Sequence, residues 1–413
     1  MLNSWDFTEQ DTKTYTHGFH TYPAMMIPQI AERLINTYKG KKAQLLFDPY
    51  CGTGTSLVEA NIKGVNAIGT DLNPLARLIA TAKTTIIDQQ TVDLYLKDFN
   101  DFLFHYRFGI IKRDSVVIPQ FSNIDFWFSR VVKNDLAVVK QYIDSLEKEE
   151  IRNFFKVAFS QTIRDCSWTR KNEFKLYKMD GEKLKTFKPD VFLSFEKALR
   201  NNRQGLLNLI EAKNNSSTSQ VHAFNTVTTV PIDIISDKSV DIVVTSPPYG
   251  DSQTTVAYGQ FSRLTNEWLG NENAQKVDSN LMGGKKYEAI EKFECSRTLN
   301  SQINNIRSID ELRAKEVYAF YKDYYNSITH VAKTIRKNGH ACYVVSNRCV
   351  KGTTLKTDLI TRNFFEANGF EHINTFSRKI SSKRMPRKNS PTGTTGETTS
   401  LMNQEFIVIM KKK

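Results

Sequence analysis

Apolar residues recur along the chain either at spacings of three and four or in short unbroken runs, and the order of the two patterns predicts an alternation of helix and strand. Residues 1–20 are polar and aromatic without a clear period, which predicts an extended arm. Met26, Ile27, Ile30, Leu34, Ile35 and Tyr38 then mark one face of a helix that begins near Pro23 and stops at Gly40. Residues 43–47 read as a strand. Leu57, Val58, Ala60 and Ile62 follow as a helix closed by Gly64, residues 66–70 as a second strand, and Asn73-Pro74 starts a further helix through Leu75, Leu78 and Ile79.

Between residues 86 and about 215 the strand pattern lapses. Helical spacing replaces it at Leu136, Val139, Tyr142, Ile143 and Leu146, and again at Phe154, Phe155, Ala158 and Phe159. Aromatics here are expected in the core rather than as platforms for bases. Strands resume at 221–225 and 240–244. Residues 261–269 predict a helix and 270–300 a long mobile stretch. A helix over 317–335 ends at Gly339, a strand occupies 340–345, and a helix 355–368. Residues 373–376 and 406–410 pair as a final antiparallel hairpin.

A chain of 413 residues with 40% apolar content holds one large domain with an insertion, or two to three domains. Lys and Arg outnumber Asp and Glu by 57 to 44, a formal charge of +13. That favours a polyanionic partner, nucleic acid before membrane, since no long basic amphipathic helix is evident; a solvated Lys-rich surface is the plainer alternative. The basic residues are not spread evenly. Residues 164–188 hold eight Lys or Arg against four acids, interleaved with Trp168, Phe174 and Tyr177. Arg170 and Lys171 there, Tyr258 further on, and Lys383, Arg384, Arg387 and Lys388 in the basic 378–399 segment are the candidate nucleic-acid contacts, against a solvated loop and a frayed tail. The five cysteines are scattered and lack C-x-x-C spacing, which suits a reducing compartment and neither a disulfide framework nor a zinc site. His17 and His20 lack a partner set, so no metal is expected. Without a signal-peptide core or an apolar run of membrane length, a cytoplasmic location is expected.

Two stretches carry chemistry. In the first, a strand, the turn Asp48-Pro49-Tyr50-Cys51-Gly52-Thr53-Gly54-Thr55, a helix, a second strand and Asp71 follow within about thirty residues, the layout of a Rossmann-type nucleotide site. Gly52 and Gly54 lack a Cβ and let backbone approach a ligand closely, and Asp71 can accept both hydroxyls of a ribose. No Lys-Ser/Thr pair follows Gly54, so this is not a phosphate-gripping loop. Asp48 suits a cationic ligand better than a redox dinucleotide.

In the second, Val240, Ile242, Val243 and Val244 form a β-branched run of the kind buried on both faces of a parallel sheet. Pro247 and Pro248 stop it, and Ser246 is held extended before them. A stiff polar loop with Tyr249 at the carboxyl end of a buried strand lies where open α/β sheets bind ligands. A proline-terminated strand with a surface aromatic, or a Pro-rich peptide ligand, are the alternatives; the strand in front argues against the latter.

Residues 47–55 resemble the first motif of S-adenosylmethionine-dependent methyltransferases, and Gly69-Thr70-Asp71-Leu72-Asn73-Pro74 the second. His20-Thr21-Tyr22-Pro23 is similar to the segment that covers the methionine end of the cofactor. Thr245-Ser246-Pro247-Pro248-Tyr249 resembles the catalytic motif of the amino-group DNA methyltransferases. The resemblance covers roughly residues 17–85 and 221–413.

It implies an α/β, Rossmann-like class I methyltransferase fold: a mostly parallel seven-stranded sheet with an antiparallel final hairpin, plus a largely helical insertion. The halves of the methyltransferase domain would be residues 1–90 and 219–413, with 91–218 as the insertion and a candidate target-recognition element. S-adenosylmethionine would be held by Tyr22, Pro23, Asp48, Tyr50, Gly52, Thr53, Gly54, Thr55, Asp71, Leu72, Asn73 and Asn225, the last standing where the family often has an acid. Ser246, Pro247, Pro248 and Tyr249 would hold a base flipped out of double-stranded DNA. Serine before Pro-Pro leans toward N4 of cytosine over N6 of adenine, and no cysteine follows a proline as in ring-carbon cytosine methyltransferases. A restriction-modification role with a cognate endonuclease is implied. A tRNA or RNA guanine-N2 methyltransferase and a non-catalytic DNA-binding subunit are the other classes left open.

Overall fold

The computed structural model describes residues 4–110, 116–171, 173–251, 255–285, 287–380, 388–389, 399–400 and 404–413. Its centre is a seven-stranded sheet of β1 (Leu45–Asp48), β2 (Asn66–Thr70), β3 (Ser219–His222), β4 (Val240–Thr245), β5 (Ile335–Val345), β6 (Phe370–Lys379) and β7 (Gln404–Lys412), in the order β3-β2-β1-β4-β5-β7-β6. Only β7 runs antiparallel to its neighbours. This is the expected Rossmann-like methyltransferase fold.

All six residues of β4 are buried, so its run of β-branched side chains needs no alternation. Leu46, Ile242, Val244, Cys342 and Ile407 pack on one face with α1 (Pro28–Tyr38) and α2 (Thr55–Ile62). Phe47, Val243, Ala341, Tyr343 and Val408 pack on the other with α10 (Glu311–Thr334) and α11 (Thr357–Ala367). Parallel pairing of Leu46 with Ile242 and Phe47 with Val243 brings the carboxyl ends of β1 and β4 side by side. At the other end, the buried Asp241 carboxylate accepts from Gln44 N and Leu45 N, both at 2.8 Å, and pairs with Arg336 at 2.5 Å.

Residues 86–218 hold α4 (Gln89–Arg107), α5 (Arg130–Ser145), α6 (Glu149–Cys166) and α7 (Val191–Ala212). Phe154, Phe155, Phe159 and Phe195 are buried there, as expected, in one core shared with α3 (Pro74–Thr84) and α8 (Tyr258–Trp268). Trp268 closes it, its ring 5.7 Å from Phe128 and 6.2 Å from Phe159.

Several expectations are corrected. The arm of residues 1–20 is docked where it is described: a short 3-10 helix covers Tyr15–Phe19, and Trp5 is buried against Phe376. The third strand is Ser219–His222, so Asn225 lies beyond it. The 270–300 stretch is anchored, because Val277, Met282 and Phe293 are buried and Asp323 accepts from Gly283 N and Tyr287 Oη at 2.8 and 3.0 Å. A further helix, α9 (Arg297–Arg307), begins inside it. Gly339 does not stop a helix but sits in β5, where the register against β4 shifts; a Cβ would lie 3.0 Å from Asp241 O and 2.8 Å from the Ile335 side chain.

Candidate active site

At the carboxyl ends of β1, β2 and β4 a cleft of about 950 Å³, partly open to solvent, is lined by Tyr22, Pro23, Asp48, Tyr50, Gly52, Thr53, Thr55, Asp71, Leu72, Asn73 and Asn225. All were expected from the sequence as cofactor contacts. Ser246 and Pro248 line the same cleft. The two sequence motifs therefore meet at one rim.

Asp48 ends β1 wholly buried. Its Oδ1 accepts from Thr245 Oγ1 at 2.5 Å and Tyr50 N at 3.1 Å, and Ser56 Oγ donates to Oδ2. Burial pushes its pKa up to about 6, against the lowering effect of these donors. Asp71 accepts from Gly52 N at 3.1 Å and Asn73 N at 2.7 Å, which fixes its carboxylate toward the turn; burial raises it to about 6 as well. Gly52 has φ +48° and would have nothing within 4 Å of a Cβ, so a ligand can approach its backbone. Gly54 differs. It has φ +77°, does not line the cleft, and a Cβ would lie 3.0 Å from Ala80 Cβ, so it serves the close approach of α3.

Asn73 caps α3, accepting from Leu75 N at 3.2 Å, while its amide nitrogen donates to Tyr22 Oη at 2.9 Å and Ser262 Oγ at 3.0 Å. It ties the segment before α1 to α8. Asn225 Oδ1 accepts from Val227 N at 3.0 Å. Tyr50 Oη bonds Ser327, which in turn bonds Thr226 at 2.7 Å. The buried Thr53 hydroxyl has no hydrogen-bond partner among the described residues and lies on the cleft wall.

The donor set fits S-adenosylmethionine. Asp71, just past the second strand, could accept ribose hydroxyls, an unpartnered hydroxyl and a bare backbone lie on the same cleft, and the buried Asp48 carboxylate suits a cation. Tyr22, Phe224 and Tyr258 add aromatic walls. Tyr258, expected among the nucleic-acid contacts, stands instead beside Tyr22, the rings 6.0 Å apart and nearly parallel. Sequence reasoning missed Met25, Met26, Phe224, Leu281 and Met282 on the same walls. Leu281-Met282 ahead of two glycines was the available signal, an apolar pair within a polar stretch.

The Ser246–Tyr249 loop is held from behind. Ser246 Oγ lies 3.1 Å from Tyr249 Oη, which donates to Glu405 Oε1 at 2.9 Å. Pro247 is buried, and neither it nor Tyr249 lines the cofactor cleft. Beyond the loop, a Cβ on Gly250 would fall 1.8 Å from Arg348, whose guanidinium pairs with Asp251 at 3.3 Å.

Of the expected nucleic-acid contacts, Arg170 is exposed and paired with Glu173 at 3.1 Å. Lys171 is turned inward: its Nζ donates to Arg164 O at 2.5 Å and Ser167 O at 2.8 Å, and burial lowers its pKa to about 8. That corrects its assignment as a phosphate contact. Lys383, Arg384 and Arg387 lie outside the described residues. The Lys388 backbone pairs in a two-residue strand with Ser400. Among the described residues no group of three or more His, Cys, Asp and Glu side chains forms a metal site, and no helix is long and apolar enough to cross a membrane.

A model of the RMKL-like methyltransferase domain matches residues 15–101, the segment that builds the cofactor side of the cleft. The chain is 38% identical to the type II methyltransferase M.MvaI of Kocuria varians, over 98% of this chain and 93% of that protein. It is 19% identical to the type II methyltransferase M.BsoBI of Geobacillus stearothermophilus, over 88% and 80%. A tRNA (guanine(10)-N2)-dimethyltransferase of Methanocaldococcus jannaschii is 36% identical over 52 residues, 13% of this chain and 15% of that protein.

Proposed function

The chain belongs to the type II methyltransferase family, and on that footing we propose that it methylates the exocyclic amine of a base flipped out of double-stranded DNA, at N4 of cytosine. S-adenosylmethionine is the cofactor, and when bound it supplies an electrophilic methyl group on a sulfonium. The observation that carries the proposal is the presence of Ser246 and Pro248 on the cleft that Asp71, Gly52 and Thr53 line. A methyl donor and an acceptor held there would face each other at one rim.

The residues supply alignment rather than covalent chemistry. An exocyclic amine is a weak nucleophile because its lone pair is delocalised into the ring. Acceptors aimed at its hydrogens return electron density to nitrogen, and the Ser246 hydroxyl and the Pro247 carbonyl are the acceptors we assign to this role. The prolines keep that carbonyl fixed, a preorganised dipole that needs no rearrangement during transfer. The Tyr249 ring is proposed to stack on the extruded base. Tyr22, Pro23 and Tyr258 wall the cofactor side.

Serine before the prolines is what favours cytosine N4 over adenine N6. The tRNA methyltransferase likeness is confined to 52 residues, so RNA is the weaker substrate proposal. A cognate restriction endonuclease would be the partner of such an enzyme. Incubating the chain with labelled S-adenosylmethionine and double-stranded DNA, then digesting to nucleosides, tests the proposal. N4-methylcytosine is expected. N6-methyladenine would overturn the base assignment, and labelling of tRNA but not DNA the substrate class.

A further inference from the structure

Behind the catalytic loop runs a line of side chains from the sheet's last two strands. Ser246 Oγ is 3.1 Å from Tyr249 Oη, Tyr249 Oη is 2.9 Å from Glu405 Oε1 on β7, and Glu405 Oε2 is 2.5 Å from Arg378 Nη1 on β6. The guanidinium is buried and its other two nitrogens also donate, Nε to Trp5 O at 3.0 Å and Nη2 to Asp6 O at 3.3 Å. The docked amino-terminal segment thus anchors one end of the line and the target-base loop forms the other.

The chemistry of the groups fixes the sense of every bond. A guanidinium only donates, and a carboxylate paired with it only accepts. Tyr249 must therefore spend its single hydrogen on Glu405, and burial together with that carboxylate keeps the phenol protonated. Its oxygen is left as an acceptor. Ser246, the neighbour on that side, must then point its own hydrogen at Tyr249, away from the cleft. What Ser246 presents to the cleft is lone pairs alone.

We infer that Glu405 is a positioning residue for methyl transfer, which acts through Tyr249 to make the Ser246 hydroxyl an obligate hydrogen-bond acceptor toward the incoming base amine. This rests on the amino-methylation proposed above and names the part of the machinery that sets its polarity. Neither the cofactor motif nor the Ser-Pro-Pro-Tyr sequence carries this information, since Glu405 lies 156 positions beyond Tyr249.

Glu405→Gln tests it, because the amide is isosteric but has two faces. Arg378 requires the amide oxygen, so the NH2 faces Tyr249. The phenol hydrogen then turns to Ser246, and the serine hydrogen turns into the cleft, donor against donor with the amine. In single-turnover assays on double-stranded DNA, Glu405→Gln is expected to slow transfer by about 100-fold, the scale of one preorganised hydrogen bond at a reacting group. Affinities for S-adenosylmethionine and DNA, measured by titration, should stay within about twofold, as should the melting temperature within a few degrees. Tyr249→Phe supplies the second arm: with no hydroxyl to reverse, adding Glu405→Gln to it should cost nothing further.

An active wild-type protein whose Glu405→Gln variant transfers at the wild-type rate overturns the inference alone. So does an equal penalty from Glu405→Gln in the Tyr249→Phe background, which would place the effect outside the tyrosine hydroxyl. Wild-type protein that binds S-adenosylmethionine yet leaves DNA unmodified overturns the proposed function, and the inference with it.

Discussion

Thr245 and Asp48, 197 positions apart, share a hydrogen bond of 2.5 Å that joins the end of the strand feeding the Ser-Pro-Pro-Tyr loop to the end of the strand feeding the glycine turn. The bond forms where the two strands end side by side: β1 and β4 pair in parallel with Phe47 opposite Val243, and Asp48 follows the first by one position and Thr245 the second by two. It is buried at both ends. The glycine turn and the Ser-Pro-Pro-Tyr loop are thus held to each other by a side-chain contact as well as by the backbone ladder.

Thr245→Val keeps the shape and removes the donor, leaving a buried carboxylate with one hydrogen bond fewer. The expected loss is about 1–3 kcal/mol of folding stability, read by denaturant titration, with methyl transfer reduced because the two rims lose their tie. Thr245→Ser should restore most of both. Wild-type stability in the valine variant would show that the ladder alone sets the geometry.

Asp48 also gives a pH dependence. Its carboxyl is raised from 3.8 to about 6, chiefly by burial. The folded protein therefore holds this proton more tightly than the unfolded chain, and the group's contribution to stability declines as pH rises from about 4 to about 6. A bound cation acts in the opposite sense, since it needs the ionised form. The thermal stabilisation conferred by S-adenosylmethionine should grow as pH rises through about 6, and that conferred by S-adenosylhomocysteine, which lacks the sulfonium charge, should grow less. Equal, pH-independent shifts for both would separate Asp48 from the charged end of the ligand.

Much of this was legible locally. The uninterrupted β-branched run at 240–244 announces burial on both faces, and the glycine turn followed by Asp71 announces a nucleotide site, because each is a property of neighbouring residues. What was not legible depends on register between distant segments. Asp241 reads as a charge interrupting an apolar run, yet its carboxylate clamps the amino ends of β1. Glu405 is one acid ahead of an apolar strand, and only the pairing of β7 with β6 sets it beside Arg378. Lys171 looks like a phosphate contact until the fold wraps it onto carbonyl oxygens.

The two glycines of the cofactor turn should separate by experiment. Gly54→Ala places a methyl 3.0 Å from Ala80 at a left-handed backbone position, so it should lower stability by about 1–3 kcal/mol through overpacking and strain. Gly52→Ala meets no protein atom within 4 Å and should cost only about 1 kcal/mol in backbone strain. Its larger effect should be on affinity for S-adenosylmethionine, measured by calorimetry. The reverse ranking would mean that Gly54, not Gly52, faces the ligand.

Tyr249 joins two roles that substitution can divide. Tyr249→Ala removes both the ring and the hydroxyl and should weaken methyl transfer far more than cofactor binding. Tyr249→Phe keeps the ring, so any activity it retains over alanine reports the ring's contact with the base. Loss of S-adenosylmethionine affinity in step with transfer would instead make Tyr249 a structural support of the cofactor cleft.

Arg170 and Lys171 are adjacent in sequence and opposite in surroundings, which turns a charge count into a distinguishable pair of outcomes. Arg170 is exposed, and its pairing with Glu173 is of the solvent-screened kind that yields readily to a phosphate. If the 164–188 segment faces DNA, Arg170→Ala should weaken binding across sequences and reduce the slope of log K against log salt by about 1. Lys171 holds the carbonyls of Arg164 and Ser167 at the end of α6. Lys171→Ala should therefore lower the melting temperature and leave the salt slope where it was, because an ammonium already bound to backbone releases no counterion from DNA. A changed slope in the lysine variant, with stability intact, would mean that the side chain turns outward when DNA is present.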